Sequence, residues 1–366
     1  MKRIEILDYG RLGAALCVLC FHYLFNGIVN GKLTGLPLQE QLTGVVKYGY
    51  LGVEFFFIIS GYVIFTSIRG RSPGQFATSR ATRLLPAFWT ALLLTSLVSW
   101  LWGEGFLVVS ATRLLANFTM FPKLFGQSYV DGVYWTLAYE ITFYAAICGL
   151  LFFISAERVQ IALLCWPVIM LFAQIAGLDR LPFLGGYYAF FAAGAAFASR
   201  GAPFIWRASA IAMSLYLCIE FSIENATALG SSRQTTYDPM LIGALISAMF
   251  LFFGMLDVPR VRGMELPGSR LAGGVTYPLY LIHGHIGYMS LSAFGDPDHP
   301  ILSTLTMAVV ALVGAAVIHF LIEKRFATAW KQLFSETVGR GVDGIHVWLH
   351  RLLRRILARG GQPHVS

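Results

Sequence analysis

Charge is scarce in this sequence. Asp, Glu, Lys and Arg make up only 13% of its 366 residues, about half the usual share of a globular domain, which excludes most soluble folds. Cysteine is scarce too: Cys17, Cys20, Cys148, Cys165 and Cys218 all fall inside apolar runs. An odd number of thiols so placed points to packing residues and away from a disulfide framework. Cys17 and Cys20 spell a C-x-x-C, but on a membrane helix without a βαβ context a redox role is poorly supported. No small-residue cleavage site follows the first apolar run, which itself holds Arg11 and His22, so it is not read as a cleaved signal. Internal repeats, low-complexity stretches and an appended soluble catalytic domain are all missing from the pattern. The apolar runs also lack the alternation of barrel strands.

What fills the chain is apolar. Hydrophobic residues are 57% of it, and its mean hydropathy is +0.66. Runs long enough to span a membrane, roughly 20 residues each, recur along nearly its whole length. In lipid the backbone must satisfy its own hydrogen bonds, so these runs predict helices. The expected fold is an all-α polytopic membrane bundle of about ten helices, in a domain covering residues 1–325. Spans are expected near 10–29, 46–67, 84–103, 133–154, 160–177, 183–199, 208–224, 239–256, 272–292 and 301–323. With a cytoplasmic N-terminus, the cytoplasmic segments then hold 20 Lys or Arg and the opposite side six (Lys32, Lys47, Arg113, Lys123, Arg180, Arg233). That asymmetry favours ten spans with both termini cytoplasmic, in a multi-pass protein of the cytoplasmic (inner) membrane.

The net charge of +8 therefore reflects topology and gives no reason to expect a nucleic-acid partner. Much of it lies in a basic cytoplasmic tail, residues 326–366. There Ile345, Trp348, Leu349, Leu352, Leu353 and Ile356 follow helical spacing beside Arg351, Arg354, Arg355 and Arg359. This pattern suits a helix lying on anionic membrane lipids, with a frayed tail as the alternative. The longest outer loop, about 104–132, offers a docking place for an external acceptor.

Ionisable residues inside the spans are costly unless they face a partner or a wet cavity, so each is a site candidate. The first span carries Asp8, Arg11 and His22. Eleven residues are close to three whole turns, which puts Arg11 and His22 on one face about 16 Å apart along the axis. Asp8, three residues before Arg11, is spaced to pair with it. The second span carries Glu54, expected near the depth of His22 or else paired to Lys47, and Ser60–Gly61, which suit close helix packing. Arg80 and Arg83 precede the third span at a spacing that suits phosphate oxygens, with Pro86 in its first turn. Arg69 and Arg71 nearby read as ordinary positive-inside charge. Trp135 and Glu140 open the fourth span, and Glu140 needs a partner such as His22. In the ninth, Tyr277, Pro278, Tyr280 and His283 bring a second imidazole to the same depth, while His285 reads as packing or interfacial. The expectation is one layer of His22, Glu54, Glu140 and His283 above a basic mouth of Arg11, Arg80 and Arg83.

Taken together, these motifs resemble the acyltransferase-3 family of integral membrane acyltransferases. The resemblance is carried by Asp8/Arg11/His22, Phe56-Phe57-Ile58-Ile59-Ser60-Gly61, Arg80/Arg83/Pro86, Trp135-Thr136-Leu137/Glu140 and Tyr277/Tyr280/His283, in order over about residues 5–325. The family's late Glu-(Lys/Arg)-Pro is Glu323-Lys324-Arg325 here, so that turn departs from the pattern. The resemblance implies O-acylation: an acyl group, usually acetyl, moves from cytoplasmic acyl-CoA to a sugar hydroxyl of a surface or exported glycan. Acyl-CoA is then the co-substrate and no metal is expected. Arg11, Arg80 and Arg83 would hold the CoA phosphates. His22 would be the general base, oriented by Glu140, or else would carry the acyl group as an acyl-imidazole. The alternative is a transporter using the same charged residues as a substrate or proton path.

Overall fold

The computed structural model describes residues 3–360, and at 106 and 355–360 the backbone alone. The expected tail-face positions Arg355, Ile356 and Arg359 therefore lie outside the described side chains. Among the described residues every regular element is a helix. Thirteen helices carry the argument. They are α1 (Glu5–Val29), α2 (Glu40–Ser67), α3 (Pro73–Trp102), α4 (Gly132–Phe153), α5 (Ala156–Ile175), α6 (Tyr188–Ala198) and α7 (Phe204–Arg233), then α8 (Pro239–Met255), α9 (Ser269–Ile282), α10 (His285–Phe294), α11 (Pro300–Lys324), α12 (Ala327–Phe334) and α13 (Arg340–Gly360).

Seven of these, α1 to α5, α7 and α11, are long and apolar enough to cross a membrane. The other three expected spans take a different form. The segment 183–199 contains an 11-residue helix, 239–256 a 17-residue one, and 272–292 is split at Gly284 into α9 and α10.

The third span also corrects an expectation. Its helix starts at Pro73, not near residue 84, because Ser72 closes a capping box with Gln75 and Pro73 occupies the first helical position. Pro86 is therefore interior, and Arg80 and Arg83 project from an established helix.

The tightest seam joins α2 to α6. A Cβ on Gly61 would lie 1.9 Å from the Phe191 carbonyl oxygen, and one on Gly194 would lie 1.9 Å from that of Ile58. Two backbones meet there directly, the use expected of Gly61. Phe57 stacks on Phe191 beside them, ring centroids 4.7 Å apart. α1 packs on α2 and α9, so its polar face looks into the bundle.

Over its described residues the tail is largely helical, and it is docked on the bundle. Asp343 of α13 accepts from the Gly74 amide at 2.9 Å and from the Ser72 hydroxyl at 3.2 Å, capping α3 from outside its own segment. His350 Nε2 donates to the Phe152 carbonyl at 2.8 Å. Loss of a cap costs about 1 kcal/mol, so Asp343→Ala is expected to loosen α13. Limited proteolysis should then cut the tail faster while the bundle stays intact, and an unchanged cutting rate would remove the capping role.

Candidate active site

Three cavities line up along the face of α1 that holds Arg11 and His22. The first opens at the end of the bundle where α1 begins, and it measures about 860 Å³. Arg3, Arg11, Arg80, Arg83, Arg270 and Lys324 line it, against Asp8 and Glu323. Asp8 is buried and accepts from Arg3 Nε at 2.6 Å and Arg11 Nη1 at 3.2 Å. The i, i+3 pairing expected of Asp8 is present, and it leaves most of Arg11's donor fork free of protein partners. Arg80 lies over the rings of Phe76 and Tyr144, 5.8 and 5.7 Å from their centroids, and its buried Nε has no protein partner. Glu323 accepts from His319 Nδ1 at 2.8 Å. Arg69 lies apart, bonded to Gln160 at 2.9 Å.

Beyond the arginines the path narrows to a waist of about 90 Å³, still lined by Arg11, Arg80 and Arg83 and now also by Phe56, Phe57, Ser60 and Glu140. Ser60 Oγ donates to Glu140 Oε1 at 3.0 Å, and the Tyr144 hydroxyl donates to the same oxygen. Ser60 is thus a polar partner as well as a small residue. Tyr277 donates to the Leu84 carbonyl at 3.2 Å, and the Tyr280 hydroxyl meets Thr136 Oγ1 at 2.9 Å.

This placement corrects the expectation that Glu140 orients His22. α4 is entered through a 3-10 turn at Gly132–Tyr134. Gly132, Val133 and Trp135 face the next cavity, while Thr136, Glu140 and Tyr144, each one turn further, face the waist. Glu140 therefore lines the waist with the arginines, while His22 lines the next cavity.

The third cavity, about 240 Å³, shares Val53 and Tyr280 with the waist and holds His22, Tyr50, Glu54, Trp135, Tyr187, Asn225 and Arg233. His22 opens a π-helical turn, His22–Asn26, a local widening frequent at functional sites. Its Nδ1 bonds the Tyr288 hydroxyl, and Asn26 Nδ2 reaches that hydroxyl at 3.0 Å and His22 Nδ1 at 3.2 Å. The Asn26 amide is oriented because its Oδ1 accepts from Arg233 Nε at 2.6 Å. His283 packs edge-on against His22, centroids 5.0 Å apart, with its Nδ1 on the Tyr280 carbonyl at 2.8 Å. Glu54 is only 1% exposed, and neither of its oxygens has a hydrogen-bond partner. Lys47, its suggested partner, donates instead to the Thr236 carbonyl at 2.7 Å.

The break between α9 and α10 holds this chamber's wall. Asp131, fully buried, accepts from the Val133 amide at 3.1 Å and the His285 amide at 2.7 Å. His285 Nδ1 meets the Val130 carbonyl at 2.9 Å, and Nε2 accepts from the Gly132 amide at 3.3 Å. His285 is thus a buried packing residue that ties the 104–131 segment to the broken helix. Sequence reasoning passed over Asp131, Asn26, Tyr144, Arg233 and Tyr288. A buried-carboxylate signal existed for Asp131 next to Gly132, but Tyr288 meets His22 across 266 residues of chain, with no local mark. Among the described residues, no group of three or more His, Cys, Asp or Glu is arranged to hold a metal ion.

Known proteins share this chain's pattern. The family model described as "Acyltransferase domain" matches residues 4–323. The chain is 26% identical over 251 residues to the exopolysaccharide production protein ExoZ of Rhizobium meliloti (strain 1021), covering 64% of this chain and 75% of that protein. It is 31% identical over 163 residues to nodulation protein 10 of Rhizobium leguminosarum bv. viciae, covering 39% of this chain and 43% of that one. No solved structure matches.

Proposed function

This chain belongs to the acyltransferase-3 family and is an acyltransferase, and we propose that it carries an acyl group, acetyl by preference, from acyl-CoA to a hydroxyl of an envelope or exported glycan. One observation carries the proposal. A cluster of arginines and a buried histidine stand at opposite ends of one line of cavities, joined through a waist wide enough only for a thin chain. Such a layout suits a donor whose phosphates stay with Arg11, Arg80 and Arg83 while its thioester reaches the chamber of His22. The partly unpaired guanidinium donors fit phosphate oxygens bidentately. Exopolysaccharide production, named for the relative in Rhizobium meliloti, supports a glycan as acceptor.

In this scheme His22 is the general base. Its Nδ1–H donates to the Tyr288 hydroxyl, which leaves the Nε2 lone pair for the acceptor. As the acceptor oxygen bonds to the thioester carbon and the C–S bond breaks, Nε2 takes the hydroxyl proton and then passes it to the departing thiolate. The products are the acyl ester and free CoA. Glu140, held by Ser60 and Tyr144, sets the waist and balances the arginines. We place the arginine end on the cytoplasmic side, with ten spans across an inner membrane and both termini cytoplasmic, in keeping with the distribution of Lys and Arg. Residues 326–366 form the basic tail. Its helix exposes Ile345 and Trp348, the latter 61% exposed, for contact with the lipid surface.

The test is reconstitution in liposomes with labelled acetyl-CoA and alkali-deacylated envelope glycan from a strain deleted for the gene. Ester formation on the glycan is expected. Saturable solute flux without acyl-CoA, and no ester, would favour the transporter instead. Charge-assisted hydrogen bonds contribute about 1.5–3 kcal/mol each, so Arg80→Ala combined with Arg83→Ala should raise the KM for acetyl-CoA at least tenfold. An unchanged KM would remove these arginines from the donor site.

A further inference from the structure

The chamber of His22 gathers buried polar groups that the protein leaves without partners. Both oxygens of Glu54, Nη1 of Arg233 and the hydroxyl of Tyr50 have none, and all three residues line the same cavity. Each such group costs about 1–3 kcal/mol when left unmet. Glu54 and Arg233 make no bond with each other, although both line this cavity. Arg233 is fixed by Asn26, whose amide also donates to the Tyr288 hydroxyl that bonds His22.

We infer that this chamber is the seat of the acceptor, and that the acceptor is a pyranose ring bound through two or more hydroxyls. This rests on the acyltransferase function proposed above and names its second substrate's binding residues. The chemistry of the unpaired groups selects the ligand. A carboxyl group accepts hydrogen bonds, a guanidinium donates, and a phenol does either. Only a ligand offering both donors and acceptors at several positions satisfies all three, and a polyol does so while a simple alcohol does not. Trp135 and Tyr187, 4.9 Å apart between ring centroids with their planes at 49°, supply aromatic faces against which a sugar's C–H face packs.

Size and exit agree. About 240 Å³ falls below the roughly 300–1,000 Å³ of pockets that bury a drug-sized ligand, so the chamber admits one ring. Past Tyr187 and Asn225 it borders a groove of about 630 Å³, walled by Tyr139, Tyr188 and Phe221, where the next units of a glycan can lie. Glu54 and Arg233 thereby choose which ring enters, and the ring's position sets which hydroxyl faces His22.

The experiment compares Glu54→Gln with wild-type protein in liposomes, using acetyl-CoA and oligosaccharides cut from the alkali-deacylated glycan of the deletion strain. Glu54→Gln is expected to raise the KM for the oligosaccharide about tenfold, as loss of a hydrogen bond would, while the KM for acetyl-CoA stays unchanged. Tyr50→Phe removes only an unpartnered hydroxyl and should raise the acceptor KM several-fold in a protein that still folds. An unchanged acceptor KM in both variants, or an equal rise for both substrates, overturns the seat and leaves the acyltransferase function standing. Wild-type protein that forms no ester on the oligosaccharide overturns the proposed function, and the seat with it.

Discussion

His22→Ala is expected to lower acyl transfer by about two to four orders of magnitude, the usual contribution of a positioned general base. Both kcat and kcat/KM should fall together, with the KM for acetyl-CoA little changed, because His22 stands apart from the arginines that line the vestibule. Tyr288→Phe leaves the imidazole in place but removes the hydroxyl bonded to Nδ1, so a smaller loss is expected. Its effect should fall on kcat and on the pH profile, since the tautomer and basicity of His22 depend on that bond. The comparison needs a folding control, and gel filtration of the detergent-solubilised variants provides one. His22→Ala protein that is monodisperse and acylates the glycan at the wild-type rate would remove His22 from the chemistry. His283 is the other imidazole within reach, and His283→Gln tests it in the same assay.

Gly61→Val is expected to be the most damaging substitution to the fold. The added Cβ would sit 1.9 Å from a carbonyl oxygen of α6, and the neighbour is backbone that cannot rotate away. Overpacking a core typically costs about 1–3 kcal/mol, and a clash between two helix backbones lies at or above the upper end. Gly194→Val clashes from the opposite side, against the Ile58 carbonyl. Both variants should express poorly, and any solubilised protein should melt well below wild type. Because Ser60 and Glu54 sit on the same helix, a forced shift of α2 would also disturb the waist and the chamber. A Gly61→Val protein with wild-type melting temperature would show that the seam is looser than described.

Much of the architecture was legible in the chain. Apolar runs announce membrane helices because lipid offers the backbone no partner, and seven long apolar helices follow them. The Asp8–Arg11 pair was legible because three residues along one helix fix the geometry. The start of α3 is not marked by its apolar run, because Ser72, Pro73 and Gln75 form a capping box about ten residues before that run begins. The partner of Glu140 is not legible in the same way, because spacing along α4 does not say which neighbouring helix a side chain meets, and Glu140 meets Ser60 of α2 and Tyr144.

The sequence by itself determined the chemistry carried on each helix: arginines and a histidine on one face of α1, carboxylates in α2 and α4, and imidazoles near the break of the ninth span. Rise and turn per residue are constant within a helix, so spacing alone decides which of its side chains share a face. Only the tertiary structure decided which of them meet. Glu54, not Glu140, shares the chamber of His22, and Tyr288 and Arg233 arrive from two other helices to meet His22 and its neighbour Asn26. Those meetings depend on where helices cross and how closely their backbones approach, as at Gly61 and Gly194. Crossing is settled by packing between segments far apart in the chain, which no local spacing encodes.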